Sequence, residues 1–382
     1  MAEYLIYGDT LRSPAMRHEV PLGIGDPFLY LETDGRRVVV TNPLEDDRIA
    51  EAAPDLERLL ADELGLDELI AQGLQREVVY REVFARAVDR VGIRAAVVPP
   101  EFPIALADRL RETGVELTPD DAEFETRRRR KTAAEMAGIR RATEAGLAGL
   151  AECARALREA SIDGDQLRSD GEVLTSEIVR ARVREVCARA GAPAPDDIIV
   201  APMRPGDAVG HESGTGPLPA HAPICIDLWP QDEESGCWSD MTRTFVRGDV
   251  SDAIAQLHTL VLDAHERACA AVRPGVRGVE IYGVACDVFE AAGYPTQRTK
   301  APGETLRHGF YFGLGHGVGL EVHEAPALGR TGREPLIAGD VIAVEPGTID
   351  PEDGGMRVED LLVVTEDGYE NLTASFPYDL TP

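Results

Sequence analysis

Four carboxylates interrupt segments of this chain that otherwise have the pattern of buried β-strands. They are Asp227 in ICIDL (224–228), Asp240 in DMTRTFV (240–246), Glu345 in VIAVE (341–345) and Glu359 in RVEDLLVVT (357–365). In ICIDL the three aliphatic side chains share one face of the strand, which leaves Asp227 on the other face beside Cys225. Burying this much unpaired negative charge is costly, so the pattern predicts strands that converge on a cation.

The number of acids indicates how many cations are needed. Two divalent ions carry four positive charges, which matches the four carboxylates, and His316 adds a neutral nitrogen ligand. Oxygen-rich ligation with one imidazole suits manganese, cobalt, iron or zinc, and Cys225 and Cys237 lack the spacing of a zinc-thiolate cluster. The sequence therefore predicts a two-metal site and leaves the identity of the metal open.

The segment GHGVGLEVHE (315–324) contains two histidines, His316 and His323, seven residues apart. Gly317 and Gly319 between them allow a close approach of the backbone. Either histidine alone would be more typical of a hydrogen-bonded structural residue. The whole segment favours a functional role.

Composition narrows the class of protein. With 382 residues, 43% hydrophobic and 28% charged, the chain is expected to fold as a globular enzyme of two domains. The formal charge of −29 argues against nucleic acid and anionic membranes as partners, and no apolar run approaches the length of a membrane span. Six cysteines without a CxxC pair are expected to be reduced, and the N-terminus lacks a signal-peptide pattern, so we expect a cytoplasmic protein.

The chain is predicted to divide into residues 1–126 and 127–382. The first part has short apolar runs typical of a small α/β unit: FLYL (28–31), VVVTN (38–42) and AAVV (95–98). Thr132 and Glu135 form a capping-box pattern that predicts the first helix of the second part. The remaining predictions are helices over 132–160, about 172–190, 251–272 and 279–292, and a further strand over 198–202.

Five segments of the second part resemble a known family in their order along the chain: IDLW, SDMTRTF, GHGVGLEVHE, VEPG and RVED. The family is the pita-bread metallopeptidases, which include methionine aminopeptidases, Xaa-Pro aminopeptidases and prolidases. The resemblance covers about residues 132–370, and the first part is similar to the non-catalytic domain of the Xaa-Pro and creatinase branch. It implies an α/β (α+β) fold with a creatinase-like N-terminal domain and a pita-bread catalytic domain.

The resemblance implies a role for each metal ligand. Asp227 would bind one metal, Asp240 and Glu359 would bridge both, and His316 and Glu345 would complete the other. Water bridging the two metals would be hydroxide near neutral pH and would attack the scissile carbonyl.

Four residues carry implied catalytic roles. Glu345 would shuttle a proton to the leaving amine, and His211 and His323 would stabilise the tetrahedral intermediate and position the substrate. Arg357 matches an arginine that supports the metal ligands in the Xaa-Pro branch.

Two departures from the family pattern matter. Asp227 and Asp240 are thirteen residues apart, more than is usual, and Leu228-Trp229 replaces the common glycine-containing turn, so we expect a longer hairpin carrying QDEESG with the ligands retained. Phe312 stands where proline-specific members usually have a histidine. This substitution leaves the preference for proline open.

The predicted function is hydrolysis of the N-terminal peptide bond of short peptides, as an Xaa-Pro aminopeptidase or a prolidase-like dipeptidase. Two divalent ions are expected as cofactors, with manganese favoured over cobalt, zinc or iron, and relatives of this branch suggest a homodimer. One alternative is a creatinase-like hydrolase of a small non-peptide amide or amidine, although that type works without metals. A non-catalytic binding scaffold is another, although all five ligand residues are present here.

Overall fold

The computed structural model describes residues 2–207 and 210–382. The chain separates into two compact units, one formed by Met1–Arg128 with Glu234–Gly236 and the other by Arg129–Glu233 with Cys237–Pro382. Within the described residues, no helix combines the length and the hydropathy that crossing a membrane requires.

The first unit is built on a six-stranded mixed sheet with the order β4-β3-β2-β1-β5-β6. Its strands are β1 (Tyr4–Gly8), β2 (Phe28–Thr33), β3 (Arg36–Thr41), β4 (Glu57–Leu60), β5 (Ala95–Val98) and β6 (Glu116–Pro119). Its helices are α1 (Pro14–Glu19), α2 (Asp46–Ala52), α3 (Leu66–Ala71), α4 (Arg76–Val91), α5 (Ile104–Glu112) and α6 (Asp121–Arg129), with a 3₁₀ turn at Ala61–Leu64. The three apolar runs predicted as strands are β2, β3 and β5.

Helices cover both faces of this sheet. Leu29 and Leu31 of β2 pack in one core with Val83 of α4, whereas Tyr30 packs on the opposite face with Met16 of α1. Because side chains alternate along a strand, burial on both faces gives the nearly continuous apolar runs seen in the sequence.

The second unit contains four long helices and thirteen strands among the described residues. The helices are α7 (Ala133–Glu159), α8 (Ser176–Arg189), α9 (Asp252–Ala270) and α10 (Gly278–Ala291). The strands are β7 (Ser161–Asp163), β8 (Gln166–Ser169), β9 (Glu172–Val173), β10 (Ile199–Pro202), β11 (Pro223–Leu228), β12 (Met241–Val246), β13 (Gly315–Gly317), β14 (Glu324–Leu328), β15 (Val341–Val344), β16 (Gly347–Asp350), β17 (Gly354–Arg357), β18 (Asp360–Val364) and β19 (Tyr369–Asn371).

Two antiparallel sheets of the second unit supply most of the site described below. One has the order β10-β11-β12 and the other β14-β13-β15-β18-β19, while β16 and β17 form a separate hairpin. Helices α7 and α8 pack their apolar faces on the first sheet, and α9 and α10 pack theirs on the second. Each pair of helices therefore covers one face of the sheet that it packs on.

The capping box at the start of α7 is confirmed. The Thr132 hydroxyl accepts a hydrogen bond from the Glu135 amide at 3.2 Å, and the Glu135 carboxylate accepts one from the Thr132 amide at 2.7 Å. These two bonds satisfy donors that the first helical turn leaves without partners.

Two predicted elements are wrong in detail. Helix α8 begins at Ser176, not near 172, because the Thr175 hydroxyl caps it and Glu172–Val173 pair with β8 instead. The predicted strand over 357–365 is two strands, β17 and β18, interrupted at residues 358–359. The break has a long-range cause, since the Glu359 amide donates to the Thr242 carbonyl of β12 at 3.0 Å.

Candidate metal centre

Asp227 lies on β11 with its carboxylate buried on the side away from the helices. The aliphatic residues of β11 pack in the core with α7 and α8, whereas Cys225 packs on the other side with Ile199. The predicted alternation is therefore confirmed. The guanidinium of Arg357 donates to Oδ2 of Asp227, while Oδ1 is buried with no hydrogen-bond partner among the described residues.

Asp240 immediately precedes β12, and the threonines that alternate with it point to the β17–β18 segment. The Thr242 hydroxyl donates to Oε2 of Glu359 at 2.7 Å, and the Thr244 hydroxyl donates to the Arg357 carbonyl at 2.8 Å. Strands β11 and β12 are consecutive and antiparallel, and the Gln231–Trp238 bridge extends their connection. The predicted longer hairpin is confirmed.

His316 lies between candidate metal-binding atoms that come from the two sheets. Its Nε2 atom, on β13, lies 3.7 Å from Oδ2 of Asp240 and 3.6 Å from Oε1 of Glu345. Glu345 directly follows β15, and its amide donates to the Leu314 carbonyl at 2.7 Å. Donor atoms of Asp240, His316 and Glu359 all lie within 4.8 Å of one another.

Gly317 shows why this segment needs glycine. An added Cβ atom would lie 2.2 Å from the Ala325 carbonyl oxygen, far inside van der Waals contact. At Gly319 the equivalent atom would lie 2.5 Å from the Glu324 carboxylate. The close approach predicted from these two glycines is confirmed.

Every site residue predicted from the sequence lines one cavity of about 700 Å³. These residues are His211, Asp227, Asp240, His316, His323, Glu345, Arg357 and Glu359. The cavity falls in the size range of small-ligand sites.

The two histidines that are not predicted ligands lie on loops at the cavity wall. His211 is exposed in the connection between β10 and β11, and His323 is exposed just before β14. The His323 ring centroid lies 4.2 Å from that of His316. Arg357 ends β17 and donates to the Gly210 carbonyl at 2.9 Å, so it connects Asp227 to the start of the His211 loop.

Burial and mutual repulsion oppose ionisation of the carboxylates. Desolvation, followed by the charges of Asp227 and Glu345, raises the pKa of Asp240 well above its ordinary value. Desolvation and the charge of Asp240 likewise raise the pKa of Glu359, and desolvation raises the pKa of Glu345 to about 7. The protein alone therefore favours protonated acids here.

The carboxylate oxygens and the imidazole nitrogen of the site are suited to binding divalent cations. Oδ1 of Asp227 and Oδ1 of Asp240 are buried acceptors without a hydrogen-bond donor among the described residues, as expected of oxygens that bind an ion. Desolvation, with a smaller effect of His323, lowers the pKa of His316 to about 4, so its imidazole is neutral and able to donate a nitrogen lone pair. Several oxygens with one imidazole match manganese, cobalt, iron or zinc.

The cavity also has lining residues that the sequence did not identify. Asp197 and Glu212 lie in loops and carry no pattern that would separate them from other surface acids. Tyr311 adds to the aromatic wall beside Phe312. Trp229 lines the cavity and also packs on the core under β11.

The sequence profile of metallopeptidase family M24 matches residues 137–366, more than half of the chain. The chain belongs to metallopeptidase family M24. It is 39% identical over 142 residues to the uncharacterised peptidase YqhT of Bacillus subtilis and 37% identical over 135 residues to the Xaa-Pro dipeptidase of Pyrococcus furiosus. These matches cover 37% and 35% of this chain, and 36% and 35% of those proteins, so the chain spans about a third of the relatives' length in sequence.

Solved structures match the M24 chain over nearly its whole length. The Xaa-Pro dipeptidase from Bacillus anthracis gives a TM-score of 0.77 at 23% identity, covering 99% of this chain and 94% of that one. The prolidase from Pyrococcus horikoshii gives 0.73 at 24% identity, covering 98% and 94%. The predicted fold, a creatinase-like domain followed by a pita-bread domain, is confirmed.

Membership of family M24 also helps to judge the two alternatives left open by the sequence, a hydrolase of small amides and a non-catalytic scaffold. The match is to a metallopeptidase family, and the named relatives are peptidases. The small-amide hydrolase and the non-catalytic scaffold are therefore not favoured.

Proposed function

We propose that this M24 chain is a divalent-metal-dependent peptidase that hydrolyses the N-terminal bond of short peptides, with proline after that bond. The observation that carries the proposal is the approach of Asp240, His316 and Glu359 to within 4.8 Å, with Asp227 and Glu345 on the same cavity. The relatives include Xaa-Pro dipeptidases of Pyrococcus furiosus and Pyrococcus horikoshii, which supports the choice of substrate.

Five residues would hold the metal: Asp227, Asp240, His316, Glu345 and Glu359. Four carboxylates offset the charge of two divalent ions, which supports a pair, and manganese is the favoured metal, with cobalt, zinc or iron as alternatives. Bound divalent cations would supply Lewis-acid activation of the scissile carbonyl and of the attacking water.

Glu345 is the residue that moves a proton. Its carboxylate borders the cavity, with Oε1 3.6 Å from Nε2 of His316, and a carboxylate at this place can act as a general base. It can therefore accept a proton from water and return it to the leaving amine.

His211, His323 and Arg357 serve binding and orientation. Ring nitrogens of the two histidines at the cavity wall can donate to the carbonyl oxygen of the scissile bond as negative charge develops there. Arg357 fixes the orientation of the Asp227 carboxylate by donating to Oδ2.

Phe312 bears on the preference for proline. It lines the cavity and packs edge-on against Phe310, with ring centroids 5.3 Å apart. An aromatic wall can contact a pyrrolidine ring without a hydrogen bond, so proline is compatible with Phe312. The homodimer and the cytoplasmic location stay predictions from the sequence.

The test is hydrolysis of matched peptides, Ala-Pro-Ala and Ala-Ala-Ala, by metal-stripped protein titrated with manganese, cobalt or zinc. We expect cleavage of Ala-Pro-Ala that depends on added metal and is lost in Asp240→Ala. Asp263→Ala, on the exposed face of α9, is the matched control and should retain activity. Equal cleavage of both peptides would overturn the proline preference, and metal binding without cleavage of either would overturn the peptidase.

A further inference from the structure

The charges that line the cavity restrict which peptides the proposed peptidase can accept. Among the described lining residues, Arg357 is the one arginine or lysine, and its guanidinium is already hydrogen-bonded to Asp227 and to the Gly210 carbonyl. Ala208 and Val209, which lie outside the described residues, carry no charge either. The one cation among the described lining residues is therefore already paired with the Asp227 carboxylate through Nη2.

Two acids add negative charge that the metal ligands do not account for. Asp197 and Glu212 line the same cavity, both are exposed, and neither makes a side-chain hydrogen bond or ion pair with the residues that the structure describes. Two divalent ions would offset the charge of the four ligand carboxylates. The remaining charges would be the two negative charges of Asp197 and Glu212 and the single positive charge of Arg357. The wall of the cavity therefore keeps an excess of negative charge when metal is bound.

The length of a peptide decides where its C-terminal carboxylate lies. In a dipeptide this carboxylate is one residue, at most about 3.6 Å of extended chain, past the scissile bond, and so inside the cavity. A carboxylate held there would lose hydration and face like charges, and the one guanidinium on the described wall is already paired with Asp227. Each further residue moves it outward by a similar distance.

We propose that this site prefers peptides of three or more residues, or dipeptides with a blocked C-terminus, over free dipeptides. The inference rests on the proposed function and deepens it, because it assigns the site to aminopeptidase rather than dipeptidase chemistry. Asp197 and Glu212 are the residues that set this preference, since they are the lining acids outside the ligand set.

The first experiment compares kcat/KM for Ala-Pro, its C-terminal amide and Ala-Pro-Ala-Ala with the metal-loaded protein. We expect the amide and the tetrapeptide to be cleaved at least about tenfold more efficiently than the free dipeptide, with a difference that narrows as salt is added. Equal or faster cleavage of the free dipeptide would overturn the proposal.

Variants test the origin of the preference. Asp197→Asn combined with Glu212→Gln should reduce the ratio of amide to free-acid hydrolysis severalfold, and Glu212→Lys should reduce it further. Asp196→Asn is the matched control, because Asp196 is an exposed neighbour that does not line the cavity. A ratio unchanged by the double substitution would remove Asp197 and Glu212 from the explanation and overturn that part of the proposal.

Equilibrium binding separates this inference from the proposed function. Calorimetry with the metal-loaded wild-type protein and hydrolysis-resistant analogues of Ala-Pro, in which a methylene group replaces the scissile carbonyl, should show tighter binding of the C-terminal amide than of the free acid. If that preference appears while the wild-type protein cleaves no peptide, the proposed function fails and the charge selection stands. Equal affinities, or no binding of either ligand, would overturn the inference whatever the activity.

Discussion

The Arg357 guanidinium donates to the Asp227 carboxylate inside the cavity, and both side chains are nearly inaccessible to solvent. This pair links the hairpin β16–β17 to the sheet that contains β11. Because the same guanidinium nitrogen donates to the Gly210 carbonyl, Arg357 also holds the loop that carries His211.

Substitution of Arg357 should lower stability and activity together. Arg357→Met leaves the Asp227 carboxylate buried without its cation, which typically costs about 3–5 kcal/mol in the free energy of unfolding. Arg357→Lys keeps the charge but loses the planar group that reaches both acceptors, so we expect a smaller loss of stability and a fall of about tenfold or more in kcat/KM. Urea unfolding and steady-state kinetics would measure both effects. A fully active Arg357→Met would contradict the positioning role.

Removal of one ligand carboxylate should affect the metal-free and metal-loaded proteins in opposite directions. Burial and neighbouring charges raise the pKa of Asp240, so this acid costs the metal-free fold stability as pH rises above the ordinary pKa of about 3.9, and it does so at neutral pH. Asp240→Asn should then increase metal-free stability, on the order of 1 kcal/mol.

Added metal should reverse that order. Metal at a hundred times its Kd should stabilise the wild-type protein by about 2.7 kcal/mol, and Asp240→Asn should lose most of this gain. Thermal unfolding with and without manganese measures both quantities, with Asp263→Asn as the surface control. If the variant gains as much from metal as the wild-type protein does, Asp240 is not a ligand.

Alanine at Gly317 should damage the centre through the backbone. The added Cβ would meet the Ala325 carbonyl oxygen at 2.2 Å, so β13 and β14 must separate and His316 must shift. We expect a loss of a few kcal/mol in stability, by analogy with overpacked cores, and weaker metal binding. Gly329→Ala, where the nearest atom would be 3.7 Å away, should be nearly neutral and serves as the control.

The sequence predicted the parts of this protein that depend on local pattern. Strand alternation separated Asp227 from the aliphatic face of β11, and the capping box located the start of α7. Because the site residues lie in short segments with a recognisable pattern, the sequence also predicted that they meet at one site, and they line one cavity.

Features that depend on distant pairing were not predictable in this way. The interruption between β17 and β18 arises because Glu359 pairs with Thr242, which is 117 residues away along the chain. Asp197 and Glu212 have their proposed role only because the fold brings their loops to the cavity wall. Neither position differs locally from an ordinary solvated acid.

His265 should make folding sensitive to acid. It is buried on α9, and desolvation lowers its pKa, although nearby Asp360 acts in the opposite direction and Arg243 adds to the lowering. Below about pH 6.5 the unfolded chain takes up a proton that the folded protein does not yet bind, so stability falls as pH decreases towards the lowered folded pKa.

A comparison of variants isolates this contribution. The wild-type protein should lose at most about 1.4 kcal/mol per pH unit from this group, and His265→Gln should lose that part of the slope. Urea unfolding between pH 7.5 and 5 measures the slope, and His308→Gln, at an exposed position, is the control. Equal slopes for His265→Gln and the control would show that His265 is not the source.

Asp360 should contribute much more to the free energy of unfolding than the surface acid Asp263 does. It is fully buried next to Glu359 and accepts hydrogen bonds from Arg243 at 2.8 Å and from Thr373 at 2.8 Å. Arg243 and the other donors lower the pKa of Asp360 to about 2 despite the opposing effect of burial, which is the largest single influence. Removing the charge therefore leaves Arg243 as a buried cation without its partner.

Asp360→Asn should accordingly cost about 3–5 kcal/mol in the free energy of unfolding at pH 7. Activity should fall as well, because Arg243 also donates to the Glu359 carbonyl at 2.6 Å and fixes the backbone of a proposed ligand. Asp263→Asn removes a solvent-exposed partner of Arg267 and should change stability by no more than about 0.5 kcal/mol. If the two substitutions lowered the free energy of unfolding by similar amounts, burial of the Arg243–Asp360 pair would not explain its contribution. The link from this pair to Glu359 would then be abandoned as well.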